Sequence, residues 1–139
     1  MAEINTSQYD KRLYDTVWGE SAGGSPAEIV ATAAIYDNLA KQYGYEKALL
    51  KSNAYRKESP QYLKASTGKM NSLEKIKYAY NKMLIDNYLK DPNLPYTAHE
   101  NVKEFGDPSW ASSFGGYQDI GRQRFYYKPK VKAMSKGRK

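Results

Sequence analysis

The chain has 139 residues, no cysteine and a single histidine, His99, a length that suits one domain with a modest core. That inventory excludes disulfides and a thiolate metal site, and it argues against a His-based metal centre or a Ser-His triad. The formal charge of +7 gathers at one end: residues 122–139 hold eight of the 22 Lys and Arg and no acid, leaving 14 basic against 15 acidic side chains in residues 1–121. A near-neutral body with a basic arm is expected, rather than a nucleic-acid-reading domain.

No apolar run approaches the length of about eighteen residues that a membrane span needs. The opening residues, Met1-Ala2-Glu3-Ile4, lack the basic and apolar regions of a secretory signal. No cofactor or metal is expected. Fourteen tyrosines suit sugar-stacking platforms, although codon usage in an AT-rich genome also enriches Tyr, Lys and Asn.

Residues 1–8 are polar and are expected to be loose. A first helix is expected over residues 8–20. Leu13, Val17 and Glu20 stand at i, i+4 and i+7, one helical face that is apolar until its last member. Thr16 and Val17 offer Glu20 no cation in the preceding turn. A carboxylate closing an apolar face is expected to be partly desolvated with a raised pKa, as a general acid requires. The same position also suits a solvated helix-end glutamate, or one paired with an arginine distant in sequence.

After Gly23-Gly24, Ser25-Pro26-Ala27-Glu28 is a helix start: cap, proline at the first position, glutamate three beyond the cap. Ile29, Val30, Ala31, Ala33, Ala34, Ile35 and Leu39 then make a helix apolar nearly all round, expected to be central and to stop near Gly44. Residues 45–51 are expected to form a short third helix. Residues 53–69, broken by Ser59-Pro60 and Gly68, read as a long loop with room for one short strand. Asn71-Ser72-Leu73-Glu74 opens a further helix whose expected buried face is Ile76, Tyr80, Met83, Leu84 and Tyr88. Asp91-Pro92 ends it. Residues 92–116 are turn-rich, residues 120–127 read as a terminal strand, and the basic tail begins at Lys128.

Several of these stretches resemble the SleB-type cell-wall hydrolases, the spore cortex-lytic enzyme family. Val17-Trp18-Gly19-Glu20 resembles that family's Tyr-Gly-Glu-Ala-Arg-Gly motif, and residues 29–40 its following Ala/Val-rich helix. Pro60-Gln61-Tyr62 resembles its Gln-Phe segment. Asp91-Pro92, Thr97-Ala98-His99 and Pro108-Ser109-Trp110 resemble its Asp-Pro, Gly-Ala, Pro-x-Trp region. Residues 120–126 resemble its closing Ile-Gly-x-His-x-Phe-Tyr strand. The resemblance spans about residues 11–128, in the same order. Ser21-Ala22-Gly23-Gly24 departs from Ala-Arg-Gly-Glu, Gln123 replaces the closing histidine, and Asn93-Leu94-Pro95-Tyr96 replaces a Gly-rich stretch.

The resemblance implies a mainly α (α+β) fold, a lysozyme-like single domain with a small antiparallel β element near the C-terminus. The domain would occupy residues 1–127 and the basic tail residues 128–139. It implies a catalytic acid at Glu20, with Gln61, Tyr62, His99 and Tyr126 as substrate-binding residues. The substrate would be peptidoglycan glycan strands, cut between N-acetylmuramic acid and N-acetylglucosamine.

Glycoside hydrolysis normally uses two carboxylates. Glu28, Asp37, Glu46, Glu58, Asp107 and Asp119 have no spacing that singles one out; Glu28 is explained by its cap and Asp37 by an i,i+4 pair with Lys41. A lytic transglycosylase, in which one glutamate acts twice and the sugar supplies its own nucleophile, suits the chain better. Without an export signal, a phage-encoded enzyme is expected, virion-associated or released from the host cytoplasm to the cell wall. The alternative is a non-catalytic virion structural protein of lysozyme-like fold whose tail docks on other virion proteins; nucleic-acid binding is the weakest reading.

Overall fold

The structure is a computed structural model and describes residues 9–100 and 114–127. The basic tail, Asp107 and Trp110 lie outside the described residues. Among the described residues, the fold is mainly helical, with six helices and a three-stranded antiparallel sheet near the C-terminus. No helix among the described residues is long and apolar enough to cross a membrane.

Helix α1 (Lys11–Ser21) begins at Asp10, whose side chain accepts from the Arg12 N–H; that cap sets the start three residues later than the sequence reading. Helix α2 (Pro26–Tyr43) has the expected capping box between Ser25 and Glu28, and Gly44 ends it at φ +94°. It is the centre of the fold, with Ile29, Ala31, Ala33, Ala34, Ile35, Tyr36 and Leu39 buried. Its alanines let α1, α6 and the sheet approach closely. Helix α3 (Tyr45–Leu49) is short, as expected.

Residues 53–69 are helical, not a loop with a strand. Helix α4 (Asn53–Arg56) is capped by Ser52, and α5 (Pro60–Thr67) by Ser59 with Pro60 at its first position. Gly68 closes α5 in the left-handed region at φ +74°. Ser59-Pro60 is therefore the same start signal as Ser25-Pro26, and here it opens a helix of eight residues.

Helix α6 (Ser72–Leu89) has the expected capping box between Asn71 and Glu74. The face it buries is only partly the expected one, with Leu84 and Tyr88 half-buried. Ile76, Tyr80 and Met83 are 66%, 48% and 57% exposed, whereas Ile85 is buried and Tyr78 and Leu89 pack against the core. The helix has more apolar positions than one face can bury, and those beside hydrogen-bonding anchors turn inward. The Tyr78 hydroxyl donates to Asp15 at 2.7 Å, the Tyr14 hydroxyl donates to Asp86, and the Leu94 N–H donates to the Tyr88 hydroxyl.

Strands β1 (Tyr96–Glu100), β2 (Tyr117–Ile120) and β3 (Gln123–Tyr127) lie in the order β1-β3-β2. The turn-rich reading of residues 92–116 missed β1, and the single terminal strand is a hairpin turning at Gly121-Arg122. Gly121 has φ +61°, and a Cβ there would fall 2.2 Å from Glu28 Oε1. Glycine is required on both counts. The hairpin tip thus rests on the start of α2, while β1 packs along α2.

Candidate functional site

Glu20 stands in the last turn of α1, and the chain closes around it from four directions. Gly19 makes this possible. A Cβ at that position would lie 2.9 Å from Ala54 Cβ and 3.0 Å from Tyr62 Cβ, so α4 and α5 can press against α1 only over a glycine. Their approach carries Ser52 to the carboxylate. Its hydroxyl accepts from the Tyr55 N–H at 3.2 Å as the α4 cap and donates to Glu20 Oε2. Tyr36 of α2 lies beside the same carboxylate and favours its charged form.

The fourth side is the sheet. His99 on β1 sets Nε2 2.6 Å from Glu20 Oε1. Its other nitrogen, Nδ1, lies 2.8 Å from Gln123 Oε1 at the start of β3. An amide oxygen only accepts, so Nδ1 carries a hydrogen and donates to it. His99 pairs with Phe125 across the ladder, and the rings stack with centroids 5.5 Å apart at 17°. Gln123, two residues before Phe125, shares that face of the sheet. The imidazole is therefore fixed in its plane, its tautomer and its direction.

The electrostatics overturn one expectation. Burial pushes the Glu20 carboxyl up, and that is the largest single effect. The hydrogen bond and charge of His99, with Ser52 and Tyr36 beside the carboxylate, outweigh it and hold Glu20 below the ordinary carboxylate value. Burial likewise pushes His99 down, but the Glu20 bond and charge, the Gln123 bond and the Glu100 charge lift it above the ordinary histidine value. The cation missing from the helix turn is supplied by a strand 79 residues away. Glu20 and His99 form a hydrogen-bonded carboxylate–histidine pair in which each favours the charged form of the other, with side chains only 10% and 15% exposed.

The pair lines a cleft of about 660 Å³ whose other polar lining includes Lys51, Asn53, Glu100 and Gln123. Among the predicted site residues, the fold brings Glu20 and His99 together and leaves three outside the cleft lining. Gln61 accepts from Trp18 Nε1 at 3.2 Å on the far side of α1. Tyr62 is buried edge-on against Tyr55. Tyr126 is 1% exposed and packs against Phe114 and Tyr117 on the sheet face opposite that of Gln123 and Phe125, as strand alternation dictates.

Four of the other candidate carboxylates have partners, Glu28 through its cap on Ser25 and three more through side chains. Asp37 takes the Tyr9 hydroxyl at 2.6 Å and Lys41 at 2.9 Å, Glu46 pairs with Arg12, and Asp119 pairs with Arg124 at 2.7 Å. Glu100, which sequence reasoning did not weigh, is the second carboxylate in the cleft lining. Ser52, Tyr36 and Lys51 were also missed; each reaches the site through tertiary contacts that no local spacing announces. Among the described residues, no group of three His, Asp or Glu side chains stands close enough to hold a metal ion. No family model matches the chain, and neither the curated proteins nor the solved structures contain a match to it.

Proposed function

We propose that the chain cleaves peptidoglycan glycan strands between N-acetylmuramic acid and N-acetylglucosamine in the Glu20 cleft, by a lytic transglycosylase-like route. The observation that carries this reading is a buried carboxylate, coupled to a histidine, in the lining of an open polar cleft. In such a route Glu20 protonates the glycosidic oxygen and then accepts the proton of the C6 hydroxyl, whose oxygen closes on C1. One proton-carrying centre is enough, because the sugar supplies the nucleophile. The resemblance to SleB-type hydrolases at residues 17–20 supports the same assignment, and a phage-encoded enzyme reaching the wall from the virion or the host cytoplasm fits it.

A second reading has its own support: both Glu20 oxygens are already engaged by the protein, as suits a virion structural protein in which the pair only holds the fold. Digestion of purified peptidoglycan with mass spectrometry separates the two. The active chain releases muropeptides with 1,6-anhydro ends, and Glu20→Gln, checked for folding by circular dichroism, releases none. Only reducible muramic acid ends would reject the transglycosylase route and make Glu100 the base of a hydrolase. No product from the folded wild-type chain would favour the structural role.

A further inference from the structure

We propose that His99 is the proton reservoir of the site, a positioning residue that supplies Glu20 along the Nε2–Oε1 hydrogen bond with the proton the reaction uses. The proposal rests on the glycan-cleaving reading of the cleft and explains how a carboxylate held as an anion can act as an acid. Because Nδ1–H is committed to Gln123, the bond at Nε2 to an ionised Glu20 requires a second imidazole hydrogen. The pair therefore keeps one proton on the 2.6 Å line between Nε2 and Oε1.

As the glycosidic bond weakens, that proton moves from Nε2 to Glu20 and from Glu20 to the glycosidic oxygen. The C1–O bond breaks with its electron pair on that oxygen, and His99 is left neutral. The C6 hydroxyl then bonds to C1, and its proton returns to Glu20 and back to Nε2. Nothing else is consumed. The groups facing the pair are the Tyr36 phenol from α2, Ser52 and the Lys51 ammonium from the link before α4, Glu100 from β1 and Gln123 from β3. Lys51 and Glu100 are opposite charges in the same cleft, and burial beside Glu20 keeps Tyr36 neutral well past the ordinary tyrosine range.

His99 is the one histidine of the chain, so its imidazole proton signals can be followed by nuclear magnetic resonance without ambiguity. In the wild-type chain they should titrate above the ordinary value of 6.5. In Glu20→Gln the midpoint should fall by about one unit or more, since the counter-charge is gone. A wild-type midpoint at or below 6.5, or one that Glu20→Gln leaves in place, would overturn the pairing without touching the cleavage assay.

The kinetic arm uses His99→Gln, which keeps a hydrogen-bond donor but cannot store the proton. Its alkaline limit of activity should move to lower pH, with kcat at neutral pH down about tenfold or more and KM within about twofold. An unmoved alkaline limit would overturn the reservoir while leaving peptidoglycan cleavage standing. A folded wild-type chain that shows the high His99 midpoint but cuts no peptidoglycan would overturn both the reservoir and the function beneath it.

Discussion

Glu20 and His99 each favour the charged form of the other, which ties stability to pH within a definite window. Glu20 is depressed in the fold, so its contribution is complete above its unfolded value of 4.5 and is lost as pH falls through the folded value. His99 is raised, so its contribution is complete below its unfolded value of 6.5 and is lost as pH rises through the folded value. The melting-temperature gap between wild type and Glu20→Gln should therefore be widest between those two values and narrow on both sides. A gap that is flat with pH would show that the pair does not stabilise the fold. Gly19 supplies a second residue-scale prediction. Alanine inside a helix normally gains about 1 kcal/mol over glycine. Here the methyl meets Ala54 and Tyr62 Cβ atoms within 3.0 Å, so Gly19→Ala should instead destabilise by about 1–3 kcal/mol in urea unfolding. It should also push Ser52 away from Glu20.

At the scale of elements, α6 tests which apolar positions carry the packing. Ile85→Ala should cost about 2–4 kcal/mol, the range for a fully buried aliphatic side chain. Ile76→Ala, 66% exposed, should stay within about 0.5 kcal/mol. Equal costs would mean that the outward positions are covered by something in solution. The same helix marks the limit of what was legible in the sequence. Its start was written in Asn71 to Glu74, because a capping box is local chemistry. Its orientation was not, because it has more apolar positions than one face can bury and the choice lies with Asp15, Tyr14 and Leu94 elsewhere. Helix α5 departs from expectation for a different reason: Ser59-Pro60 reads as a chain break, although serine before proline also starts a helix. The site divides in the same way. Glu20 stood out from its own helix face, whereas the shift of its pKa was read with the wrong sign because the deciding charge sits on β1. Gln61, Tyr62 and Tyr126 sit in packing positions because the chain around them is pulled inward by aromatic burial.

For the whole molecule, the organising pattern is a tyrosine hydroxyl set on a carboxylate at each main joint. Tyr9 meets Asp37, Tyr14 meets Asp86, Tyr45 meets Asp10, Tyr78 meets Asp15, and Tyr36 meets Glu20. Burial first, and then the neighbouring carboxylate, pushes all five phenols above their ordinary value. Each stabilises the fold while neutral, and that contribution is lost as pH climbs through the raised folded value. The joints therefore double as a built-in optical reporter. In an alkaline titration followed by near-ultraviolet absorbance, part of the phenolate band should be withheld until the helical circular dichroism signal collapses, and then rise with it. A band that completes its growth while the helices are still intact would show that these hydroxyls are open to solvent and do not clasp the fold.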